Sequence, residues 1–322
     1  MKKIIPLLLQ SLVTLGLLVW IFWKADFRAK TWEELAAANP VWLAAGFGAA
    51  GVVNFLGAFR WGIFLRVLGV RLPAWQVLRL SFVGLFFNIF LVGAVGGDAV
   101  KVVWLVAKGH PKTPALLSVF MDRMSGFGAM VVCSLLFIFL RLDWLMRSEV
   151  VADVIKAVLA YLFCAMALMA FSFIVSAKGF TGRLPRRFPG RQRIIEFTNA
   201  YFRFITSWKQ TALASAVSVV MLLAHFSTFY LGARSLGLRL PVGEFFALMP
   251  AVEIISALPI SLSGFGLREQ LFVTVAGELW GLLGAQAVSV SLVGATLSLL
   301  WGLLGLALLP GYHKVVGKTA RG

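Results

Sequence analysis

Six ionisable residues stand where the surrounding sequence is apolar, and they fall into three pairs: Asp98 with Lys101, Asp122 with Arg123, and Arg268 with Glu269. A charge at membrane depth is expensive, so it points to a functional position whose partner is to be named. Asp98 follows Gly96-Gly97 and precedes Ala99-Val100-Lys101. As an N-cap it would satisfy free N–H groups of the helix it begins. Those N–H groups, with Lys101 at the same helix start, can also hold an anion such as a phosphate. Asp122-Arg123 offers either an internal ion pair that fixes packing or a contact to a polar headgroup. Arg268-Glu269 poses the same choice. Arg268 is the better phosphate ligand, because its guanidinium fork matches two phosphate oxygens. Asn88 and Glu253 are further polar outliers and complete the candidate binding set.

Two of the pairs follow an interruption that would position them, and Asp122-Arg123 lies about eight residues into its own span. Residues 81–92 are apolar apart from Ser81 and Asn88, and a break follows at Gly93-Ala94-Val95-Gly96-Gly97. After it, residues 99–107 are short and mostly apolar and end at Lys108-Gly109-His110-Pro111. A bilayer-spanning helix needs roughly 20 residues, so this piece cannot cross alone. The pattern predicts a re-entrant helical hairpin over 75–107, and irregular backbone at that depth is tolerated only where it lines a cavity or is buried in protein. A second interrupted unit spans 244–282, with its break from Pro259 to Gly264, Gly266 just beyond, Glu253 before it and Arg268-Glu269 after it. Paired interruptions in the two halves are the pattern of an inverted repeat around a midplane site. The halves do not align residue for residue, so the repeat rests on pattern alone.

The 322 residues are 60% hydrophobic and 13% charged, with mean hydropathy +0.91. Long apolar stretches without strand alternation predict an all-α integral membrane protein. Full spans are expected at 4–23, 40–66, 114–140, 150–177, 211–234 and 285–309: six crossings plus two hairpins entering from opposite faces. The whole chain, 1–322, reads as one polytopic domain, with a first half 1–177, a connection 178–209 and a second half 210–322. That connection carries Lys178, Arg183, Arg186, Arg187, Arg191, Arg193, Arg203 and Lys209 against Glu196. Its aromatic and aliphatic spacing suggests an amphipathic helix on the cytoplasmic leaflet, besides a topology-setting loop. The charge bias predicts cytoplasmic N- and C-termini in a cell (inner) membrane. A net charge of +17 would suggest nucleic acid in a soluble protein; here the basic residues sit in short loops, and no nucleic-acid partner is expected. Arg60, near the end of its span, is expected to snorkel, with an inward-facing role as the alternative. Cys133 and Cys164 read as buried small hydrophobes. His110, His225 and His313 match no metal-ligand spacing, so no metal and no cofactor are expected.

Asn88, Gly96-Gly97-Asp98 with Lys101, Ser118-Val119 and Asp122-Arg123 with Gly126 resemble a signature of the lysylphosphatidylglycerol synthase transmembrane, flippase-like family. Ala257-Leu258-Pro259-Ile260-Ser261, Gly264, Gly266 and Arg268-Glu269 look like its second signature. The chain departs from the family pattern at Val92, where Pro is common, and at Lys101, where Arg is common. The resemblance covers nearly the whole chain. It implies a protein that moves lipids or lipid-linked sugars between leaflets, with membrane lipids as its partners. Multi-domain relatives add a soluble aminoacyl transferase; this chain ends at Gly322, and lysyl transfer is not expected of it. There is no GxxxxGK[ST] run for ATP, so protons or the membrane potential, acting on acids such as Asp98 or Glu269, are the remaining drives besides passive movement. Two rivals stand beside this reading. One is an intramembrane lipid-phosphate enzyme, against which no nucleophile–base pair is found. The other is a non-transporting partner of a lipid-modifying enzyme.

Overall fold

A computed structural model describes residues 32–90, 96–177, 195, 202–204, 206–258 and 264–309. Among these residues all regular structure is helical. The elements are α1 (Pro40–Val67), α2 (Ala74–Phe90), α3 (Gly96–Ala107), α4 (Lys112–Leu140), α5 (Leu142–Leu145), α6 (Glu149–Ala177), α7 (Trp208–Ser235) and α8 (Val242–Ser256). They are followed by α9 (Leu267–Leu271), a π-helical turn (Phe272–Ala276), α10 (Gly277–Trp280) and α11 (Gly284–Ala307). Among the described residues five helices, α1, α4, α6, α7 and α11, are long and apolar enough to cross a bilayer. They coincide with five of the six expected spans; the expected span at 4–23 lies outside the described residues. Apolar side chains such as Val132, Leu136 and Phe139 on α4 and Leu168 on α6 face outward, as they would toward lipid.

The remaining helices are short. At 1.5 Å per residue, α2 with 17 residues and α3 with 12 measure about 25 and 18 Å, against a hydrocarbon core of about 30 Å. α8 has 15 residues and continues through Pro250, which removes one ladder hydrogen bond a turn before Glu253. The chain re-enters helix at α9 through Gly264 (φ +78°) and Gly266 (φ +82°), left-handed positions where a side chain would be strained.

Small residues fix how these helices meet, as expected where the surrounding lipid is as apolar as the side chains. α1 starts cleanly: Asn39 accepts from the Val41 N–H at 2.9 Å, with Pro40 in the first turn. Gly46 and Gly51 on α1 then let α11 approach. A Cβ at Gly51 would sit 2.5 Å from the Trp301 indole, whose Nε1 donates to the Phe47 carbonyl at 2.9 Å. Gly294 on α11 receives Phe229 of α7, and Gly305 receives the Phe82 backbone of α2. The helices α1, α7 and α11 thus form a central trio. α2 and α3 pack together on one side of it, with α2 against α11 and α1. On the other side lies the largest apolar core, which joins α4, α6, α7, α8, the π turn and α11.

Two expectations about the first break need correction. Gly96 and Gly97 form the opening turn of α3, not the loop before it, and Asp98 therefore lies inside the first turn and not at the N-cap. The Gly97 N–H is instead accepted by Asn88 Oδ1 at 2.7 Å, so the capping role belongs to the polar outlier on the opposing arm. A Cβ on Gly97 would collide with the Gly84 carbonyl, so the two arms touch backbone to backbone. Gly93 and Pro259 lie outside the described residues.

Candidate functional site

Two polar networks lie among the apolar helices. The first gathers around α3. Arg123 Nε donates to Asp98 Oδ2 at 2.7 Å. The adjacent Asp122 turns the other way and accepts from Arg60 Nε at 2.8 Å. Arg60 also donates through Nη1 to Ser218 Oγ at 2.9 Å, and Ser218 shares a 2.7 Å hydroxyl contact with Ser125. Gly126 makes room for the guanidinium, since a Cβ there would lie 3.3 Å from Arg60 Nη1. Lys101 Nζ sits 4.6 Å above the ring centroid of the fully buried Trp61. Asp122 and Asp98 act on it electrostatically, and the Trp61 Nε1 donates to Ser118 Oγ at 3.2 Å. Asp122 lies ten residues into α4 from Lys112, about 15 Å along its axis.

The neighbours Asp122 and Arg123 are therefore not each other's ion-pair partner here. Each reaches a different element, Asp122 to α1 and Arg123 to α3. The second pairing ties α4 to the first interrupted unit. Snorkelling by Arg60 is overturned: its side chain is 9% exposed, because Asp122 and Ser218 give its charge partners in the interior.

The second network gathers around the start of α9. Glu269 is fully buried; its Oε2 accepts from the Gly266 N–H and its Oε1 from Ser291 Oγ at 2.7 Å. This closes a capping box on α9 across the left-handed Gly266. Arg268 Nε stands 4.0 Å from Glu269 Oε1, and the Arg268 guanidinium lies 5.6 Å from the Phe229 ring and 5.5 Å from Phe265. His225 Nε2 lies 3.1 Å from Glu253 Oε1, with its ring edge-on to Phe229 at 5.3 Å. Phe229 therefore touches both the imidazole and the guanidinium.

A cavity of about 270 Å³ opens here, lined by Asn54, Leu85, His225, Phe265, Arg268 and Ser298 among others. Asn54, His225 and Ala295 lie near the middles of α1, α7 and α11, so the cavity sits at mid-depth of three candidate spans. The two networks share helices. Asn54 and Arg60 are six residues apart on α1, and Ser218 and His225 seven apart on α7, or about 9 and 10 Å along the axes. The seven-residue step brings Ser218 and His225 back to nearly the same face of α7.

Of the eight expected binding residues, the structure brings Asp98, Lys101, Asp122 and Arg123 into one network, with Asn88 bracing the hairpin beside it. It places Glu253, Arg268 and Glu269 in the other. The sequence reading gave Asn54 and His225 no site role, gave Arg60 only an alternative one and missed Ser218. His225 is an ionisable residue in the middle of an apolar span, a signal in its own right.

The arrangement defines a class: a polytopic helical membrane protein in which pairs of short helices pack against a central trio of long ones and bring charged side chains up to it. Within that class, the chain belongs to the family described as the lysylphosphatidylglycerol synthase TM region, which matches residues 7–306. No curated protein matches the chain. Membership is consistent with a membrane-lipid-related function.

Proposed function

We propose that the protein moves a lipid with an anionic phosphate headgroup between leaflets, the tails remaining in the bilayer while the headgroup passes between the two interrupted units. Anionic phospholipids, aminoacylated lipids and polyprenyl-phosphate-linked substrates all carry that chemistry. The observation that carries the reading is the mid-depth cavity in which Arg268 and Asn54 stand among apolar walls. A guanidinium in such a place is a two-point phosphate ligand, and apolar surroundings with a few convergent polar groups are what ligand sites present. Asp98, Lys101 and Arg123 offer a second polar station on the first unit.

In this reading the two pairs of short helices are re-entrant hairpins that enter from opposite faces. In the same reading both termini face the cytoplasm across the cell membrane, which the basic loops support. The protein makes and breaks no covalent bond in its lipid. A second reading is favoured by the strongly basic connection 178–209, which would suit the chain to dock a lipid-modifying enzyme and transport nothing alone.

The test is headgroup movement in liposomes holding only this protein, with fluorescent phosphatidylglycerol, lysylated phosphatidylglycerol or a polyprenyl-phosphate sugar. One of these lipids is expected to exchange between leaflets, and Arg268→Ala and Asp98→Ala, still folded, to slow it at least about tenfold, as loss of a charged phosphate contact does. No movement of any of the three lipids would sink autonomous transport and leave the docking reading.

A further inference from the structure

We infer that His225 and Glu253 form a proton-binding site coupled to anion binding in the Arg268 cavity, so that the protein takes up a proton when a phosphodiester headgroup enters. The inference rests on reading that cavity as the headgroup site.

The geometry singles out this pair among the acids of the interior. Asp98 is held by Arg123 and Asp122 by Arg60. Glu269 has both oxygens committed, one to Ser291 and one to the Gly266 N–H. Glu244 accepts from Trp280 Nε1 at 3.0 Å. Glu253 alone among them faces an imidazole, at 3.1 Å, and that imidazole forms part of the cavity wall together with Arg268. Around the pair, α11 carries no ionisable side chain and α1 none before Arg60. On α7 itself Lys209 and Arg234 lie near its ends, and Tyr230 packs its ring on Phe245. On α4, besides Asp122 and Arg123, there are Lys112 at its start and the buried thiol of Cys133. The further charge acting on Glu253 is Arg268.

The sign of the coupling follows from charge. With the imidazole neutral, the Glu253 carboxylate adds to that of Glu269 in offsetting the Arg268 guanidinium, and the site as a whole attracts an anion weakly. One proton on the pair raises the site by a full positive charge, in surroundings where water screens little. An anion at Arg268 therefore binds more tightly at lower pH, and by reciprocity its arrival favours the proton. Entry of the headgroup then brings no net charge into the apolar interior, since one anion and one proton arrive together. A proton gradient across the membrane can bias the direction of such a cycle.

The test reads binding without transport. The protein in phosphatidylcholine nanodiscs is titrated with glycerophosphoglycerol, the water-soluble headgroup of phosphatidylglycerol, between pH 5.5 and 8, and binding is followed by the rise in unfolding temperature. A phosphodiester stays singly anionic over this range, so any pH dependence belongs to the protein. In the wild type, affinity is expected to rise toward about tenfold per pH unit lowered while one proton is coupled. Glu253→Gln is expected to bind tightly and with a flat pH profile, because the offsetting carboxylate is gone. His225→Gln is expected to bind weakly and flatly, and Arg268→Gln not at all. A flat wild-type profile, or no binding by the wild type at any pH, overturns the inference from that protein alone, without relying on any variant's folding. A pH dependence that survives in both His225→Gln and Glu253→Gln overturns it as well, because the proton then resides elsewhere. A liposome assay showing no lipid movement alongside the expected binding profiles would refute transport and leave the proton–anion coupling standing.

Discussion

The two interrupted units carry similar charges into the membrane and treat them differently. In the network around the first, each acid has a cationic partner drawn from another helix: the unit's own Asp98 pairs with Arg123 and joins α3 to α4, and Asp122 beside it pairs with Arg60 and joins α4 to α1. In the second, Glu269 is satisfied by a hydroxyl and its own backbone, and the cation next to it borders a cavity. The first unit's charges hold helices together; the second unit's capping box presents an arginine. Similar residue types next to similar glycine-rich breaks therefore do not imply equal roles. What separates them is whether the acid's partner is another helix's cation or the local backbone.

That contrast can be broken by substitution. The largest loss of stability is expected from Arg60→Met, which leaves Asp122 buried without its cation and costs about 3–5 kcal/mol. The unfolding temperature in detergent should fall sharply, and Arg60→Met combined with Asp122→Leu should recover part of the loss. If the single variant is as stable as wild type, the first unit is not held by charge. Next comes Glu269→Ala, expected to cost about 3 kcal/mol, from two lost hydrogen bonds to a charged acceptor at about 1.5 kcal/mol each. Ser291→Ala should cost less, since the backbone partner remains. Gly97→Ala forces the α2–α3 contact apart at a cost of about 1–3 kcal/mol; here a drop in unfolding temperature with intact headgroup binding would separate hairpin packing from the cavity. The smallest effect is expected from Arg123→Gln. Its side chain is 48% exposed, and a pair that open contributes below about 1 kcal/mol. A large destabilisation by this last change would mean that the Asp98 pairing is shielded from solvent in the membrane.

The spans were legible because length and apolarity along the chain are what a bilayer demands, and α1, α4, α6, α7 and α11 begin and end near where those runs do. The short helices were legible from the breaks. Pairings across helices were not. Arg60 finds Asp122 at a separation of 62 residues and Ser218 at 158, and nothing along a single chain marks which of several interior charges will face one another. Adjacent charges drew attention to themselves, so Asp122-Arg123 looked like a unit when its members point to different neighbours. His225 has no metal-ligand neighbour in sequence to mark it, and its partner Glu253 sits on a helix whose approach to α7 is decided by packing around Phe229 and Phe245.

The contact of Gly97 on Gly84 makes a ruler of the first hairpin. Arms that rest backbone on backbone resist sliding along one another, so the depth of Asp98 is read off the number of residues between it and Ala107. One residue added to that stretch would turn Asp98 by about 100° around its axis relative to the far end of the arm and aim it away from Arg123. Changes of length there are read as changes of angle, and the hairpin tolerates substitutions along its arms more readily than insertions.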